Sequence, residues 1–556
     1  MGNSIVGTHL DDVLNALAEG DSVYGRAGDD TLTSHFNATR LFGMAGNDWL
    51  TTDYSLIAPV DAPAVVSAEQ DGGSGDDVLT VRLYAESNVL AEASAVLHGG
   101  SGNDTISSDL TVYFANPHAS NLVDAGSGDD TIDVRARGYS LISSIVVSNH
   151  VFGGAGNDTI SAHAEIRFTY DGGIAENVID SGAGNDSVTA VAKTSFEGTG
   201  DETARNLIKT GSGNDFVDVT AIAWSNDGKY AINEVDAGSG NDVVRAYVYT
   251  DSNSTQPVGS NKVYGGSGND DLTAIHYTDG ENADTTVDNL VDGGSGADVL
   301  TGEILALADF SSAGTNVLRG GTGNDVMTAT VVAEAYSAVT SSDITAHNLL
   351  DGGSGNDVMS AYASAIGSAY DCPVQGDASN VLDGGDGNDV MLAEIGAGSG
   401  GASFLLGGKG NDSLTVIGGM GNVLDGGAGR DIVTGGDGTD LVIGGTGNDL
   451  LAGGLEADAF QFDLAVAEGK DTLVDFDGSE DMLAFFGITD AGAPGLLDDL
   501  DAMASFRDYG AGQDVVVSLG QGTTLVFAGL GTGSVGSFAD LVADADTQLV
   551  LAGAWS

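Results

Sequence analysis

A short glycine-rich turn that ends in aspartate is repeated through most of this chain. Nineteen copies lie between Gly25 and Asp458, and most read G-G-x-G-N-D, as at 153–158, 265–270 and 352–357. One residue and then an aliphatic residue follow nearly every copy. Repetition of this kind indicates a solenoid, in which each repeat forms one coil that stacks on the next. The turn therefore predicts an all-β chain folded as a right-handed parallel β-roll or β-solenoid.

The chemistry of the turn suits Ca²⁺. Glycines at successive positions permit backbone conformations closed to other residues, and they let carbonyl oxygens point into a tight loop. The aspartate adds a carboxylate oxygen, and Ca²⁺ takes about six to eight hard oxygen ligands. Because one turn supplies too few, we expect each site to need two turns on adjacent coils, with roughly one ion per stacked pair.

The predicted metal ligands are the second and fourth residues of each turn together with its aspartate. Turn by turn they are Gly100, Gly102 and Asp104; Gly126, Gly128 and Asp130; Gly154, Gly156 and Asp158; Gly182, Gly184 and Asp186; Gly211, Gly213 and Asp215; Gly238, Gly240 and Asp242; Gly266, Gly268 and Asp270; Gly294, Gly296 and Asp298; Gly321, Gly323 and Asp325; Gly353, Gly355 and Asp357; Gly385, Gly387 and Asp389; Gly408, Gly410 and Asp412; Gly427, Gly429 and Asp431; Gly436, Gly438 and Asp440; Gly445, Gly447 and Asp449.

Two other interpretations of a glycine-rich turn fit less well. A flexible linker rich in Gly, Asn and Asp needs neither fixed spacing nor an aliphatic residue two positions after each aspartate. A phosphate cradle would run into a third glycine or a lysine, whereas this turn runs into a carboxylate that repels phosphate. Calcium binding remains the favoured chemistry.

The stretch from 426 to 461 reads as tandem nonapeptides, GGAGRDIVT, GGDGTDLVI, GGTGNDLLA and a decayed GGLEADAFQ. It resembles the repeats-in-toxin (RTX) family, whose repeat is G-G-x-G-x-D-x-aliphatic-x. The resemblance implies a β-roll that binds Ca²⁺ and leaves the cell through the type I secretion apparatus, with an uncleaved C-terminal signal. Such a chain would stay unfolded at low cytosolic calcium and fold outside the cell.

Charge supports this interpretation. The chain has 82 acidic and 17 basic residues and a formal charge of −65. One Ca²⁺ per turn would bring that charge to roughly −27. Without calcium we expect the coils to repel one another and remain unfolded. A charge of this sign and size argues against nucleic acid as a partner.

The single cysteine, Cys372, excludes an internal disulfide, and we expect a free surface thiol in a loop beside Pro373. The segment MGNSIVGTHLDDVLNALAEG lacks the basic region and long apolar core of a Sec signal peptide. No segment has the length and apolarity of a transmembrane span. We therefore expect a secreted protein, extracellular or at the cell surface.

The spacing of the turn aspartates predicts how the chain is organised. The step is 18 residues near Asp30, 26–29 through the middle, 32 at Asp389 and 9 from Asp431 to Asp458. A nine-residue step predicts turns on both edges of the roll, and a longer step predicts calcium turns on one edge only. We expect a short-coil N-terminal cap with the first repeats at 1–60 and a long-coil roll at 61–405. A nonapeptide roll would follow at 406–458, and a β-rich cap with the type I secretion signal at 459–556.

Within one coil the pattern predicts an outgoing strand, a far loop and a return strand. After Asp186 these are 187–194, 197–204 and 206–210. Outgoing strands alternate with period two, as in a half-buried strand. The predicted inward residues are Ile160, Val188, Val217, Val244, Leu272, Leu300, Met327 and Met359, followed by Ala162, Ala190, Ala246, Ala274, Ala329 and Ala361.

An asparagine recurs five residues before the second turn glycine. Side chains at one position per coil can stack and hydrogen-bond along a solenoid. We expect an internal asparagine ladder formed by Asn121, Asn149, Asn177, Asn206, Asn233, Asn261, Asn289, Asn316, Asn348, Asn380 and Asn422.

No catalytic motif is evident, and the repeats leave no separate domain for an enzyme. The histidines are scattered, with no H-E-x-x-H. We expect His163 to be a solvated outward side chain, and Arg135, Arg137 and Lys193 to form no cluster with histidine. We therefore predict a protein without enzymatic activity.

One surface stands out on neighbouring strands. An apolar and aromatic patch is predicted there, either as ordinary cross-strand packing or as a contact for self-assembly or a glycan. Its residues are Ile222, Trp224, Tyr247, Tyr249, Ile275 and Tyr277.

The expected role is structural: a component of a surface layer, a biofilm matrix or an adhesin, which assembles with its own copies or binds cell-surface polysaccharide or lipopolysaccharide. Three alternatives stay open. They are a secreted calcium-binding signalling protein, a polysaccharide-active solenoid of the lyase or epimerase kind, and a pore-forming toxin, which would need an apolar membrane-inserting segment.

Overall fold

The computed structural model describes residues 2–169, 171–195, 200–225, 229–252, 257–280, 284–337, 343–369, 372–487, 496–543 and 545–551. The chain forms two compact units. The first comprises 1–294 and 302–312, and the second comprises 295–301 and 313–556. No helix in the described ranges has the length and apolarity needed to cross a membrane.

In the first unit each coil contributes one strand to each of two parallel sheets. Strands of sheet 1, which lead into the glycine-rich turns, are Ser4–Val6, Ser22–Ala27, Thr39–Ala45, Ala64–Ser74, Ala91–Ser101, His118–Ser127, Ile145–Ala155, Gly173–Ala183, Glu202–Lys209, Lys229–Asp236 and Pro257–Ser267. Strands of sheet 2, which leave the turns, are Val13–Asn15, Thr31–Ser34, Trp49–Ile57, Val78–Ser87, Thr105–Phe114, Thr131–Tyr139, Thr159–Arg167, Ser187–Ser195, Phe216–Ser225, Val243–Ser252 and Asp271–Gly280. The strands Asp284–Ser295, Val299–Ala308 and Ser311–Thr322 carry residues of both units.

The second unit repeats this arrangement and adds a different C-terminal part. Its sheet 1 strands are Ile344–Ser354, Asp377–Asp383, Gly400–Leu406, Val423–Asp425, Leu441–Ile443, Ala459–Asp463, Met482–Phe486 and Leu549–Leu551. Its sheet 2 strands are Val326–Ala335, Val358–Ala369, Cys372–Gln375, Val390–Ile395, Ser413–Ile417, Ile432–Asp437, Leu450–Leu455, Lys470–Leu473, Ala504–Asp508, Val515–Leu519 and Thr523–Phe527. Two short strands, Ala428–Gly429 and Thr446–Gly447, pair with each other, and the helices are Leu496–Met503 and Ala545–Gln548.

The core consists of inward-facing aliphatic residues and alanines from the two sheets. Every residue predicted to face inward on the outgoing strands is buried, from Ile160 and Ala162 to Met359 and Ala361. Alanine is frequent at the inward positions, and its small side chain lets the two sheets pack closely. The all-β parallel solenoid predicted from the turns is thus confirmed.

Two local predictions were wrong. The return strand after Asp186 begins at Glu202, inside the segment predicted as loop, because Glu202 pairs with Gly173 of the preceding coil and extends the ladder. Cys372 lies in the short strand Cys372–Gln375, which folds back antiparallel on the end of Val358–Ala369, and not in a loop.

The asparagine ladder is present inside both units. In the first, each amide nitrogen Nδ2 donates to the Oδ1 of the next asparagine, from Asn121 to Asn149 at 2.8 Å and onward to Asn289. In the second, Asn316, Asn348 and Asn380 form the same chain at 3.1 and 2.8 Å. Each bond joins one coil to the next, so the ladder holds strand register.

Asn422 is not part of this ladder, contrary to the prediction. Its Nδ2 donates to Asp440 Oδ1 at 2.8 Å, and its own Oδ1 accepts the backbone N–H of Ser403. The coil that contains it is short, so the same sequence offset places Asn422 at the opposite edge of the roll. The ladder position of the previous coil is taken by Ser403, which pairs with Asn380.

Candidate metal centre

The turn aspartates form a stack along the edge where sheet 1 passes into sheet 2. In each coil the backbone N–H of the aspartate donates to the Oδ1 of the aspartate one coil later, over 2.7–2.9 Å. Asp130 thus donates to Asp158, and Asp158 to Asp186. One carboxylate oxygen of each aspartate is therefore committed to holding adjacent coils in register.

In most of these aspartates the second carboxylate oxygen, Oδ2, is buried and has no hydrogen-bond partner in the described part of the chain. A buried carboxylate oxygen without a donor is costly and requires an explanation. The atom recurs in the same state along this edge at Asp30, Asp48, Asp77, Asp104, Asp130, Asp158, Asp186, Asp215, Asp242, Asp325, Asp357, Asp389, Asp412, Asp431, Asp449 and Asp471, and also at Asp440 on the opposite edge. Such a regular row of bare acceptors fits a row of bound cations.

The turn glycines bring backbone carbonyl oxygens close to this row. A Cβ at Gly153 would lie against Asp158 Oδ2 and against the carbonyl oxygen of Ser181 on the next coil. Gly154 and Gly156 have φ of +105° and +134°, and a Cβ at either would overlap the carbonyl oxygen of the matching glycine one coil earlier. Only glycine meets both requirements, backbone conformation and close approach.

Burial and mutual repulsion disfavour the ionised form of these aspartates. Burial is the larger cause and nearby aspartates add to it, raising the pKa of Asp158 to about 6 and those of Asp242 and Asp431 to about 7. Backbone hydrogen bonds to the carboxylates act in the opposite direction but are outweighed. A divalent cation in the turn would oppose both causes, since it favours the charged carboxylate.

The donor set fits Ca²⁺. Among the described residues, no group of three or more His, Cys, Asp and Glu side chains is placed to hold a metal by side chains alone. The turn edge instead offers carboxylate oxygens, one aspartate per coil, together with backbone carbonyls, and Ca²⁺ accepts both kinds of hard oxygen.

Several positions in this stack were missed in the predicted ligand set. Asp30, Asp48 and Asp77 have the same geometry as Asp104, and Asp471 extends the stack by accepting the N–H of Asp449 at 3.1 Å. For these three the signal was the turn itself, which is intact at 72–77 and lacks its second glycine at 25–30 and 43–48. For Asp471 the remaining signal is only Glu468-Gly469-Lys470-Asp471.

A second, exposed ladder runs beside the aspartates and was also missed. Where the residue just before the turn aspartate is Asn or Asp, its Oδ1 accepts the backbone N–H of its counterpart one coil later. Examples are Asn157 N–H to Asp129 at 2.6 Å, Asn185 N–H to Asn157 at 2.8 Å and Asn388 N–H to Asn356 at 2.8 Å. This explains why that turn position is so often asparagine.

The nonapeptide region carries a second stack on the opposite edge. Asn422 N–H donates to Asp440 Oδ1, Asp440 N–H to Asp458 Oδ1 and Asp458 N–H to Asp481 Oδ1, over 2.9–3.0 Å. Asp431 and Asp449 belong to the first stack. The nine-residue step therefore alternates between edges, as predicted.

Comparison with known proteins agrees with this geometry. The profile of the RTX calcium-binding nonapeptide repeat matches residues 6–36, 96–110, 148–164, 258–274, 285–304, 310–330, 345–365, 376–399, 393–416 and 417–451. The chain is an RTX β-roll protein.

Other similarities to this RTX protein are slight. No curated protein sequence matches it. Among solved structures, the extracellular lipase LipA from Serratia marcescens aligns at 15% identity with a TM-score of 0.15, over 61% of this chain and 45% of the lipase chain. That alignment spans less than half of the lipase and carries no argument about fold or activity.

A second set of side chains gathers on the outward face of sheet 2, contrary to prediction. Arg135 lies beside His163 on the next strand, and Glu165 lies between Arg137 and Lys193. These residues come together because each group has a common offset from its turn aspartate. His163 is also half-buried rather than fully solvated.

The predicted aromatic patch is contiguous on the same face. Ile222, Tyr249 and Tyr277 are in register on three strands, as are Tyr247 and Ile275 on two of them. The rings of Tyr249 and Tyr277 stack at 5.2 Å, and Trp224 meets Tyr249 edge-on at 5.8 Å. Packing between strands accounts for this arrangement, and a role in assembly or glycan contact remains a prediction.

Proposed function

We propose that this chain is an extracellular calcium-binding structural protein. It would fold on Ca²⁺ after type I secretion and then assemble as part of a surface layer, a biofilm matrix or an adhesive coat. The observation that carries the proposal is the row of buried Oδ2 atoms without a hydrogen-bond partner, from Asp30 to Asp242 and from Asp325 to Asp449, beside the turn carbonyls. RTX nonapeptide repeats bind calcium, and this row fits that chemistry.

The ions would be held between adjacent turns. Each would take the Oδ2 of a turn aspartate with backbone carbonyls of the glycine positions, in the fifteen turns predicted from sequence and also at Asp30, Asp48, Asp77 and Asp471. In the nonapeptide region a second row would involve Asp440 and Asp458. Roughly one ion per stacked pair follows from the number of oxygens that one turn offers.

Calcium would couple folding to export. The chain has a formal charge of −65 and buries turn aspartates along the roll. Without metal, repulsion between these carboxylates would destabilise the folded form. If Ca²⁺ binds only the folded state, the free energy of binding stabilises that state relative to the unfolded chain. A secreted chain would thus remain unfolded where calcium is scarce and fold where calcium is plentiful.

The proposed function is not enzymatic. The repeats extend to residue 458, and in this family the repeat itself serves calcium binding and structure. An alternative role is that of a secreted calcium-binding signalling protein. Such a protein would bind Ca²⁺ and fold in the same way as the structural protein, but it would not assemble.

The decisive experiment is size-exclusion chromatography with light scattering during a calcium titration, from chelator to about 10 mM, a range that covers extracellular-type affinities. Compaction of an expanded monomer followed by ordered high-mass species supports the structural role. Compaction to a monomer at every protein concentration supports the signalling alternative. A hydrodynamic radius that does not respond to calcium contradicts the proposal.

A further inference from the structure

A charged concavity lies on the outward face of sheet 2 in the first unit. Its volume is about 260 Å³, and we name it the basic cluster after its lining by Arg135, Arg137, Ser161, His163, Glu165 and Arg167. Lys193 extends it through its register with Glu165. Four of the chain's 17 basic residues therefore lie on three neighbouring strands of a strongly acidic protein.

Ion pairs hold the three guanidinium groups in place. Arg167 Nε lies 2.7 Å from Glu165 Oε1, Arg137 Nη1 lies 3.1 Å from Asp109 Oδ1, and Arg135 Nη2 lies 3.1 Å from Asp133 Oδ2. Glu165 is only 5% exposed although it faces outward, because its neighbours cover it. A guanidinium has several N–H donors, and one carboxylate contact uses only part of them. The arginines are thus positioned to bind a further anion.

The four basic side chains of the cluster face three carboxylates, those of Asp109, Asp133 and Glu165, so these groups leave an excess of one positive charge. Burial lowers the pKa of His163. Among its charged neighbours Glu165 has the largest effect and raises that pKa, whereas Arg137, Arg135 and Lys193 lower it. The imidazole is therefore neutral near neutral pH and offers one donor and one acceptor nitrogen, which suits hydroxyl groups.

An aromatic concavity adjoins the basic cluster. It is about 250 Å³ in volume and is lined by Tyr113, Tyr139 and Phe168 among others. The rings of Tyr113 and Tyr139 stack in parallel with centroids 4.3 Å apart, and the Arg167 guanidinium carbon lies 5.9 Å from the centre of the Tyr139 ring. Tyr139 lines the aromatic concavity and Arg167 lines the basic cluster, and the two residues are direct partners on adjacent strands, so the concavities are neighbours on this face.

We propose that these two concavities form one binding site for an acidic saccharide. A carboxylate of the saccharide would pair with Arg137 and Arg167, which suit planar bidentate recognition. The ring of the neighbouring sugar unit would lie in the aromatic concavity against Tyr139, and its hydroxyls would reach His163. A dense polyanion such as nucleic acid is disfavoured by the net charge of the whole chain, whereas a saccharide with isolated carboxylates is less so.

The inference rests on the proposed function in one respect: the calcium-loaded coils must form for the site to exist. Beyond the proposed function, the inference adds a class of partner, acidic saccharides, and the surface that would bind them. Far-UV circular dichroism in calcium tests the fold separately. Ordered coils that bind no saccharide contradict only the inference, and a failure to order contradicts the proposed function.

The test is calorimetric titration of the calcium-loaded full chain with three probes. Trigalacturonate carries carboxylates on sugar rings, maltotriose carries sugar rings without charge, and tricarballylate carries three carboxylates without a ring. We expect trigalacturonate to bind with a Kd at or below about 1 mM, and to bind at least about fivefold more tightly than either control. Equal binding of tricarballylate or of maltotriose contradicts the saccharide site, and so does a lack of binding by trigalacturonate.

Variants locate the site. Arg137→Gln and Tyr139→Ala should each weaken trigalacturonate binding about tenfold, the scale of one charge-assisted or aromatic contact. Arg245→Ala is the matched control, since Arg245 is a basic residue of the same sheet that packs over Phe216 at 5.6 Å outside the cluster. An equal loss in Arg245→Ala, or no loss in both cluster variants, contradicts the assignment. The calcium midpoint of folding of each variant shows whether it folds normally.

Discussion

At the scale of the residue, the turn aspartate has two tasks divided between two oxygens. Oδ1 accepts the backbone N–H of the coil before it, and Oδ2 lies buried beside turn carbonyls. An Asp-to-Asn substitution keeps the oxygen that accepts the hydrogen bond and removes the negative charge. It can therefore test cation binding separately from the hydrogen bond that holds the coils in register.

Asp158→Asn should leave the hydrogen bond at Oδ1 in place and weaken calcium binding at the two turns that share this residue. We expect the calcium-dependent stabilisation to fall by about 1–3 kcal/mol, as for loss of a buried charged partner. The calcium midpoint of folding, followed by circular dichroism, would rise. Asp284→Asn, an exposed carboxylate at the start of a strand, is the matched control. A midpoint that moves equally in both variants contradicts a role for Oδ2 in binding.

His276 predicts a pH dependence that does not involve the calcium turns. Its side chain is fully buried where Gly259 leaves space, and burial lowers its pKa to about 3. The unfolded chain, with a histidine pKa near 6.5, binds the proton that the folded chain does not. Stability from this residue is thus complete above about pH 6.5 and is lost progressively as pH falls toward 3.

We expect the native chain to lose about 2 kcal/mol more stability than His276→Gln between pH 7 and pH 5 in saturating calcium. Urea unfolding at the two pH values measures this difference, and the aspartates common to both proteins cancel. Parallel losses in the two proteins would show that His276 protonates as easily when folded as when unfolded.

At the scale of the element, the inward asparagine ladder joins coils whose lengths differ. Asn206 accepts from Asn177 and donates to Asn233, each over 2.8 Å, and it also donates to the carbonyl of Thr220. Its removal would leave polar groups on both neighbouring coils without their partner.

Asn206→Ala should lower the free energy of unfolding by about 2–4 kcal/mol, because a buried group left unsatisfied costs about 1–3 kcal/mol. Thr189→Ala, an exposed change on sheet 2, should lie within about 0.5 kcal/mol of the native chain. Denaturation at fixed calcium compares the three proteins. If Asn206→Ala is as stable as Thr189→Ala, the ladder does not contribute to stability.

The sequence alone predicts those features of the fold and of the candidate site that depend on residues within one turn. The glycine positions, the aspartate stack and the inward positions follow from turn chemistry and from period two. The predictions for Asn422 and for the loop at 197–204 were wrong because both depend on the length of a coil. That length decides which edge of the roll a residue reaches. The basic cluster was missed although Arg135 and His163 both lie five residues after their turn aspartates, and Arg137, Glu165 and Lys193 all lie seven after theirs. Alignment of the coils on those aspartates would have found it.

At the scale of the whole molecule, we expect the excess of acidic groups to make folding depend on which cation is present. Screening by any salt reduces repulsion between exposed charges. A buried row of Oδ2 atoms beside carbonyls requires a large cation of flexible geometry, and Mg²⁺ retains its waters and demands a near-ideal octahedron.

Ca²⁺ should therefore order the chain at millimolar concentration, whereas Mg²⁺ at equal concentration and NaCl at equal ionic strength should not. Far-UV circular dichroism and hydrodynamic radius measure the transition. Ordering by all three salts would mean that screening alone drives folding and that the turns are not specific sites.

The equivalence of neighbouring coils has an evolutionary consequence. Excision of 187–215 would join Asp186 to Phe216, bring Asn177 next to Asn233 and place like residues in contact at the new junction. Gene segments that encode whole coils can therefore be duplicated or lost without new interfaces having to arise. Selection can tune the number of coils by recombination, while each surviving coil keeps its surface free to diverge.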